Sequence, residues 1–137
     1  RYPLHVNLRV GTVMSVFNTI TGRVFAAYLP ERMVRTMLED EHRRVVGGTS
    51  ADFDSPEVQQ LLQEIRATGM GRGQSVPLPG VNTLCAPVFD TAGHIALVIT
   101  MFGPQGAFDA DIDGPAGRML REHADAVSRR LGAQGRR

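Results

Sequence analysis

Two apolar runs, Val81 to Phe89 and His94 to Phe102, separated by Asp90-Thr91-Ala92-Gly93, constrain the fold more than any other feature of the chain. Each has strand length and is rich in β-branched and aromatic residues, and the connection places Gly93 where a positive φ costs least, so the pair predicts an antiparallel hairpin. Pro87 cannot donate to a ladder and is expected at a sheet edge or a bulge. Near the start, Leu4, Val6, Leu8 and Val10 alternate with His5, Asn7 and Arg9 until Gly11, the period-2 pattern of a half-buried strand.

Between and after these strands the period changes to that of helices. Thr19 or Thr21 is suited to cap a helix carrying Val24, Phe25, Tyr28 and Leu29 on one stripe, and Pro30 closes it. Met33, Val34, Met37 and Leu38 repeat the stripe, and the polar stretch from Glu39 through Ser50 reads as a loop. Asp54-Ser55-Pro56-Glu57 combines a capping side chain, a proline near the first helical position and an acid in the first turn. It predicts a helix to about Thr68 with Val58, Leu61, Leu62 and Ile65 inward. Gly69, Gly71 and Gly73 break that helix and lead into a short extended segment. Asp113-Gly114-Pro115 starts a last helix with Ala116, Met119, Leu120, Ala124, Val127 and Leu131 on the expected core face. Strand, helices, hairpin and closing helix give the α+β class, an antiparallel sheet flanked by α-helices, and 137 residues make one domain.

Charge and cysteine content exclude several functions. Fifteen basic side chains face fourteen acids, a net charge of +1, so this chain has no basic field that would itself argue DNA contact. The basic residues of the last helix are interleaved with Glu122 and Asp125 and read as a solvated face or a subunit contact. A lone Cys85 cannot form an intrachain disulfide, and nothing in these residues resembles a secretory h-region or an apolar run long enough to span a membrane, so a cytoplasmic location away from membranes is expected. His5, His42, His94 and His123 lack metal-ligand spacing, so no metal site is expected. Gly69-Met70-Gly71-Arg72-Gly73 resembles a phosphate loop but follows a helix and enters a strand, the reverse of a nucleotide fingerprint, and no cofactor is expected. Cys85 as a nucleophile, with His94 or His5 as base, is weighed against a small buried hydrophobe, which its apolar strand favours. The catalytic set is therefore read as empty.

Thr19-Ile20-Thr21-Gly22 carries the most useful chemistry. The first N–H groups of a helix lack intrahelical partners and lie at the positive end of the macrodipole, so the turn can hold an anion or simply be capped by a hydroxyl. Thr100 and Phe102 share strand parity and face one side of the sheet. A hydroxyl buried there needs a partner, which a ligand or a neighbouring carbonyl can supply.

The segments Thr19 to Pro30, TITGRVFAAYLP, and Gly80 to Pro104, GVNTLCAPVFDTAGHIALVITMFGP, resemble the helix start and the hairpin of the effector-binding domain of IclR-type bacterial transcription regulators. The resemblance runs from about Leu4 to Leu131 in order and spacing. It implies a GAF-like sheet lacking its first strands, with residues 1–137 as a ligand-sensing domain. The chain opens at Arg1 inside an alternating pattern and is read as a piece of a longer protein, whose winged helix-turn-helix would lie upstream. By resemblance, Ile20 and Thr21 match the pair that meets the polar end of a small effector, and Met14, Gly73, Thr83, Thr100 and Phe102 complete the binding set. Gly73 stands where well-known members that bind small keto acids have an acid, and Phe102 where they have a serine. Both changes point to a larger or more apolar effector, such as an aromatic or medium-length acid. The family further implies operator DNA bound through the missing domain and a homodimer or homotetramer. The residues 11–18 and 69–79 are candidates to close over the ligand. A generic GAF-like sensor, an oligomerisation module and, behind both, a Cys-dependent enzyme are the alternatives.

Overall fold

The computed structural model describes residues 9–11, 13–44 and 52–133. Helices α1 (Ile20–Tyr28), α2 (Glu31–Arg44) and α3 (Pro56–Thr68) precede strands β1 (Gly71–Gln74), β2 (Val81–Phe89) and β3 (Ile95–Pro104), and α4 (Pro115–Arg130) closes the chain. The strands form an antiparallel sheet in the order β1-β2-β3. The α+β reading therefore holds. Most of the strand expected over residues 4–10 lies outside the described residues; Val10 and Gly11 form a turn, with Gly11 at φ +92°.

The hairpin closes as its residues dictate. The Asp90 N–H donates to the His94 carbonyl at 2.9 Å, while the Asp90 carboxylate accepts from the Ala92 and His94 N–H groups at 2.9 and 3.0 Å. Gly93 takes φ +79°. Pro87 sits in the middle strand, yet on a stretch of β2 that β1 does not reach, because β1 begins opposite Cys85 and runs toward Asn82. Its missing donor therefore breaks no rung, and the bulge follows at Val88/Phe89.

Helices cover both sheet faces. On one, Val24 and Ile20 of α1, Val34 and Leu38 of α2 and Val58, Leu62 and Ile65 of α3 form a core that includes Cys85. On the other, Leu84, Ala86 and Val88 pack against Leu120 and Ala124 of α4. Alternation along β2 sends successive side chains to the two cores, which is why this strand is apolar almost throughout. α3 begins with the Ser55 hydroxyl accepting from the Val58 N–H and ends at Gly69 with φ +77°, a left-handed stop that glycine adopts without strain.

Two expectations are corrected. The stretch Glu39–Arg44, read as loop, is the last part of α2. His42, Arg43 and Arg44 complement the negative end of the helix dipole, Arg43 pairs with Asp40, and Glu41 accepts from the Val16 N–H at 3.1 Å, so tertiary contact extends the helix. On α4, Met119 and Leu131 are 46% and 42% exposed, whereas Gly117, Leu120, Ala124 and Ser128 are buried. Ser128 is admitted to the core because its hydroxyl accepts from the Phe89 N–H at 3.0 Å and donates to the Ala124 carbonyl at 2.9 Å. α2 is tied to the segment before α3 by Arg35, whose guanidinium reaches both carboxylate oxygens of Asp54 at 2.6 and 3.1 Å and lies 4.8 Å from the Phe53 ring centre.

Candidate effector site at the start of α1

Thr19, not Thr21, caps α1. Its backbone is extended (φ −131°, ψ 147°), and its hydroxyl accepts from the Gly22 N–H at 2.9 Å while donating to the Ser15 carbonyl at 2.7 Å. Arg23 donates from its backbone N–H to the Thr19 carbonyl at 3.2 Å. Among the described residues the Ile20 and Thr21 N–H groups have no intramolecular acceptor, so both first-turn donors remain at the positive end of the helix. Gly22 is a steric necessity. A Cβ there would meet the Ser15 carbonyl oxygen at 2.5 Å and lie closer still to that of Val16, because the segment before α1 folds back across its first turn.

With the cap role taken by Thr19, the Thr21 side chain is free to face the sheet. Its hydroxyl lies 2.7 Å from that of Thr100, the Cys85 thiol lies 3.3 Å from Thr100, and Thr21 is 3.7 Å from the thiol. The sheet register explains the meeting: Cys85 pairs with Thr100, and one rung along, Thr83 pairs with both Gly73 and Phe102. Residues two apart share a face, so Gly73, Thr83, Cys85, Thr100 and Phe102 form two adjacent cross-strand rows beneath α1. Ile20 presses on this surface at its β1 end. A Cβ on Gly73 would stand 3.0 Å from both Ile20 Cγ1 and Cδ1 and would collide with the Val76 carbonyl oxygen. Phe102 is 38% exposed, and among the described residues the Thr83 hydroxyl has no hydrogen-bond partner.

Of the seven residues expected in the site, Ile20, Thr21, Gly73, Thr83, Thr100 and Phe102 thus share one surface. Met14 is exposed on the segment before α1 and belongs to neither buried core. Cys85, outside the expected set, lies on the same surface. Its parity with Thr83 on one strand was the available signal, set aside because a buried cysteine reads first as a hydrophobe.

Among the described residues the surface carries polar groups but no general base beside Cys85. Burial pushes the Cys85 thiol above its ordinary value, with the Thr100 and Thr21 hydroxyls pulling weakly the other way, and its near partners are hydroxyls that cannot take its proton. Folding therefore favours the neutral thiol. Below the ordinary value of 9.0 the two states hold the same proton; above it the unfolded chain releases the proton first, and stability falls with rising pH until the folded thiol ionises too. In urea titrations from pH 8 to 10, wild type is expected to lose stability relative to Cys85→Ala, and parallel curves would refute this. Arg23, half-buried, donates through Nε to the Phe17 carbonyl at 2.8 Å, and desolvation lowers its pKa. Among the described residues no group of three or more His, Cys, Asp or Glu could hold a metal, and no described helix is long and apolar enough to cross a membrane.

Comparison with known proteins agrees with this architecture. The family model described as the bacterial transcriptional regulator IclR C-terminal domain matches residues 1–129. The HTH-type transcriptional repressor AllR of Klebsiella pneumoniae is 27% identical over 124 residues, covering 90% of this chain and 45% of its own length. The crystal structure of Pseudomonas aeruginosa HmgR superposes with a TM-score of 0.82 at 37% identity, covering 99% of this chain and 53% of that one. That of the Agobacterium tumefaciens repressor BlcR, at 20% identity and a TM-score of 0.70 over 92% of this chain and 51% of its own, shares the fold. The chain spans about half the length of these relatives. It belongs to the family of IclR-type bacterial transcriptional regulators, through the C-terminal domain of that family.

Proposed function

We propose that this domain binds a small organic acid, aromatic or of medium length, between the start of α1 and the Thr83–Thr100 rows of the sheet, and thereby controls operator binding by the intact cytoplasmic regulator. The observation that carries the reading is the 2.7 Å pair of Thr21 and Thr100 hydroxyls beside the Ile20 and Thr21 N–H donors. A carboxylate can take those donors, and the threonine pair can turn its protons toward the ligand. Gly73 contributes no charge, and Phe102 offers a ring face, so the rest of the ligand meets apolar walls. Residues 11–18, with Met14, and residues 69–79 close over it on this reading. The regulator acts as a homodimer or homotetramer, with DNA read by a helix-turn-helix outside this chain. Its response requires the ligand to favour one arrangement of the subunits, since equal affinity for both shifts nothing.

The test is a thermal-shift panel on the intact protein, from pyruvate and glyoxylate to benzoate, phenylacetate and hexanoate, repeated on Thr21→Val. At 100 times Kd a ligand should stabilise the protein by about 2.7 kcal/mol, and Thr21→Val should weaken binding about 10-fold by removing one hydrogen bond to a charged group. Preference for pyruvate or glyoxylate over every larger acid would sink the proposed ligand class.

A further inference from the structure

Beyond that reading, a cavity opens where the two helical layers meet at the edge of β2. β1 begins opposite Cys85 and runs toward Asn82, so it does not extend beside Ala86, Pro87 and Val88. Pro87, lacking an N–H, makes this stretch a poor template for another strand. The gap is left as a cavity of ≈ 640 Å³ between the ends of α1 and α3 and the middle of α4. Small side chains create the space: Ala27, Ala67, Ala86 and Ala124 line it. One wall is aromatic, with the Tyr28 and Phe89 rings edge to face at 5.2 Å.

Two arginines at its rim give it a charge preference. Arg66 donates through Nε to the Ala27 carbonyl at 2.7 Å, and Arg121 through Nη2 to the Thr68 carbonyl at 3.0 Å, so both guanidinium planes are anchored at the cavity. Each anchor uses one donor and leaves others for a ligand. Among the described residues neither forms an ion pair; even Asp125, four residues after Arg121 and also on the cavity wall, lies outside 4.0 Å of it. We propose that this cavity is a second small-molecule site, for a carboxylate carried on a hydrophobic ring, its carboxylate between Arg66 and Arg121 and its ring against Tyr28, Pro87 and Phe89. The volume is in the range of small-ligand pockets, and two guanidinium forks lining one cavity suit a carboxylate better than a neutral group. This site does not depend on the one at the start of α1. Thr21 and Tyr28 are seven residues apart on the same helix, about 10 Å along its axis.

The experiment is a titration of the intact protein, with alanine methyls labelled with ¹³C, by 4-fluorobenzoate, following the methyls and the ¹⁹F signal together. Wild type should shift the methyls of Ala67, Ala86 and Ala124. Arg66→Gln/Arg121→Gln should weaken that binding by about 10-fold or more, while Thr21→Val should leave it in place. Methyl shifts absent or confined to other alanines in wild type would overturn the proposal without recourse to a variant. So would a titration at these methyls that the double substitution leaves unchanged. Loss of ligand response in Thr21→Val with these shifts retained would leave both sites standing. Shifts retained with no Thr21-sensitive component would keep this site and remove the one at α1.

Discussion

Gly22→Ala should lower the stability of this domain by about 3 kcal/mol, at the upper end of overpacking costs, and reduce its melting temperature by about 10 °C. The added methyl has nowhere to go, since two backbone carbonyl oxygens, those of Ser15 and Val16, already occupy its place. Alanine is a better helix former than glycine, so helix propensity alone predicts a gain of about 1 kcal/mol. The two accounts give opposite signs. If the clash wins, the strain can be relieved by lifting α1 or by pushing the preceding segment outward, and either move separates Thr21 from Thr100 or breaks the Thr19 cap. Ligand response should therefore fall with stability. Thermal melts of wild type and variant decide the matter; an unchanged or higher midpoint would mean that residues 15–17 yield cheaply.

The second large effect is expected at Gly73, where Gly73→Ala separates volume from charge and Gly73→Asp adds both. The methyl alone must displace Ile20 or the Val76 carbonyl, at a cost of about 2 kcal/mol. The carboxylate brings a further penalty, because it would be desolvated under Ile20 and would oppose an incoming acid. Gly73→Asp is expected to weaken benzoate binding by at least about 10-fold relative to Gly73→Ala, measured by calorimetric titration of both variants. Equal binding by the two would place the ligand away from β1.

Local chemistry was the legible part of this chain. The Asp54-Ser55-Pro56-Glu57 signature marked the start of α3 because a cap, a proline and an acid act within a single turn. The hairpin was legible because Asp90 and Gly93 satisfy its turn from within. The rest depended on contacts between distant segments. α2 runs on through Glu39–Arg44 partly because Glu41 meets Val16, 25 residues away, and no window of sequence contains both. Period alone suggested an apolar stripe on α4 that included Met119 as well as Leu120 and Ala124, whereas close approach to the sheet added Gly117 and Ser128 for their small size. At the site, parity placed Thr100 and Phe102 on one face, and the register then brought Gly73 and Thr83 beside them. That Cys85 shares hydroxyl contacts with Thr21 could be seen only once α1 was laid across the sheet.

The bond between Glu41 and the Val16 N–H gives α2 an influence on recognition that its position conceals. Residues 13–18 deliver the chain into α1, and the Val16 N–H among them is held by Glu41 in the final turns of a helix that supplies none of the proposed ligand contacts. α2 thus works as a splint for the mouth of the site. On the proposed reading, changes in its far end, exposed and charged as it is, should alter ligand affinity from outside the set of residues that face the ligand.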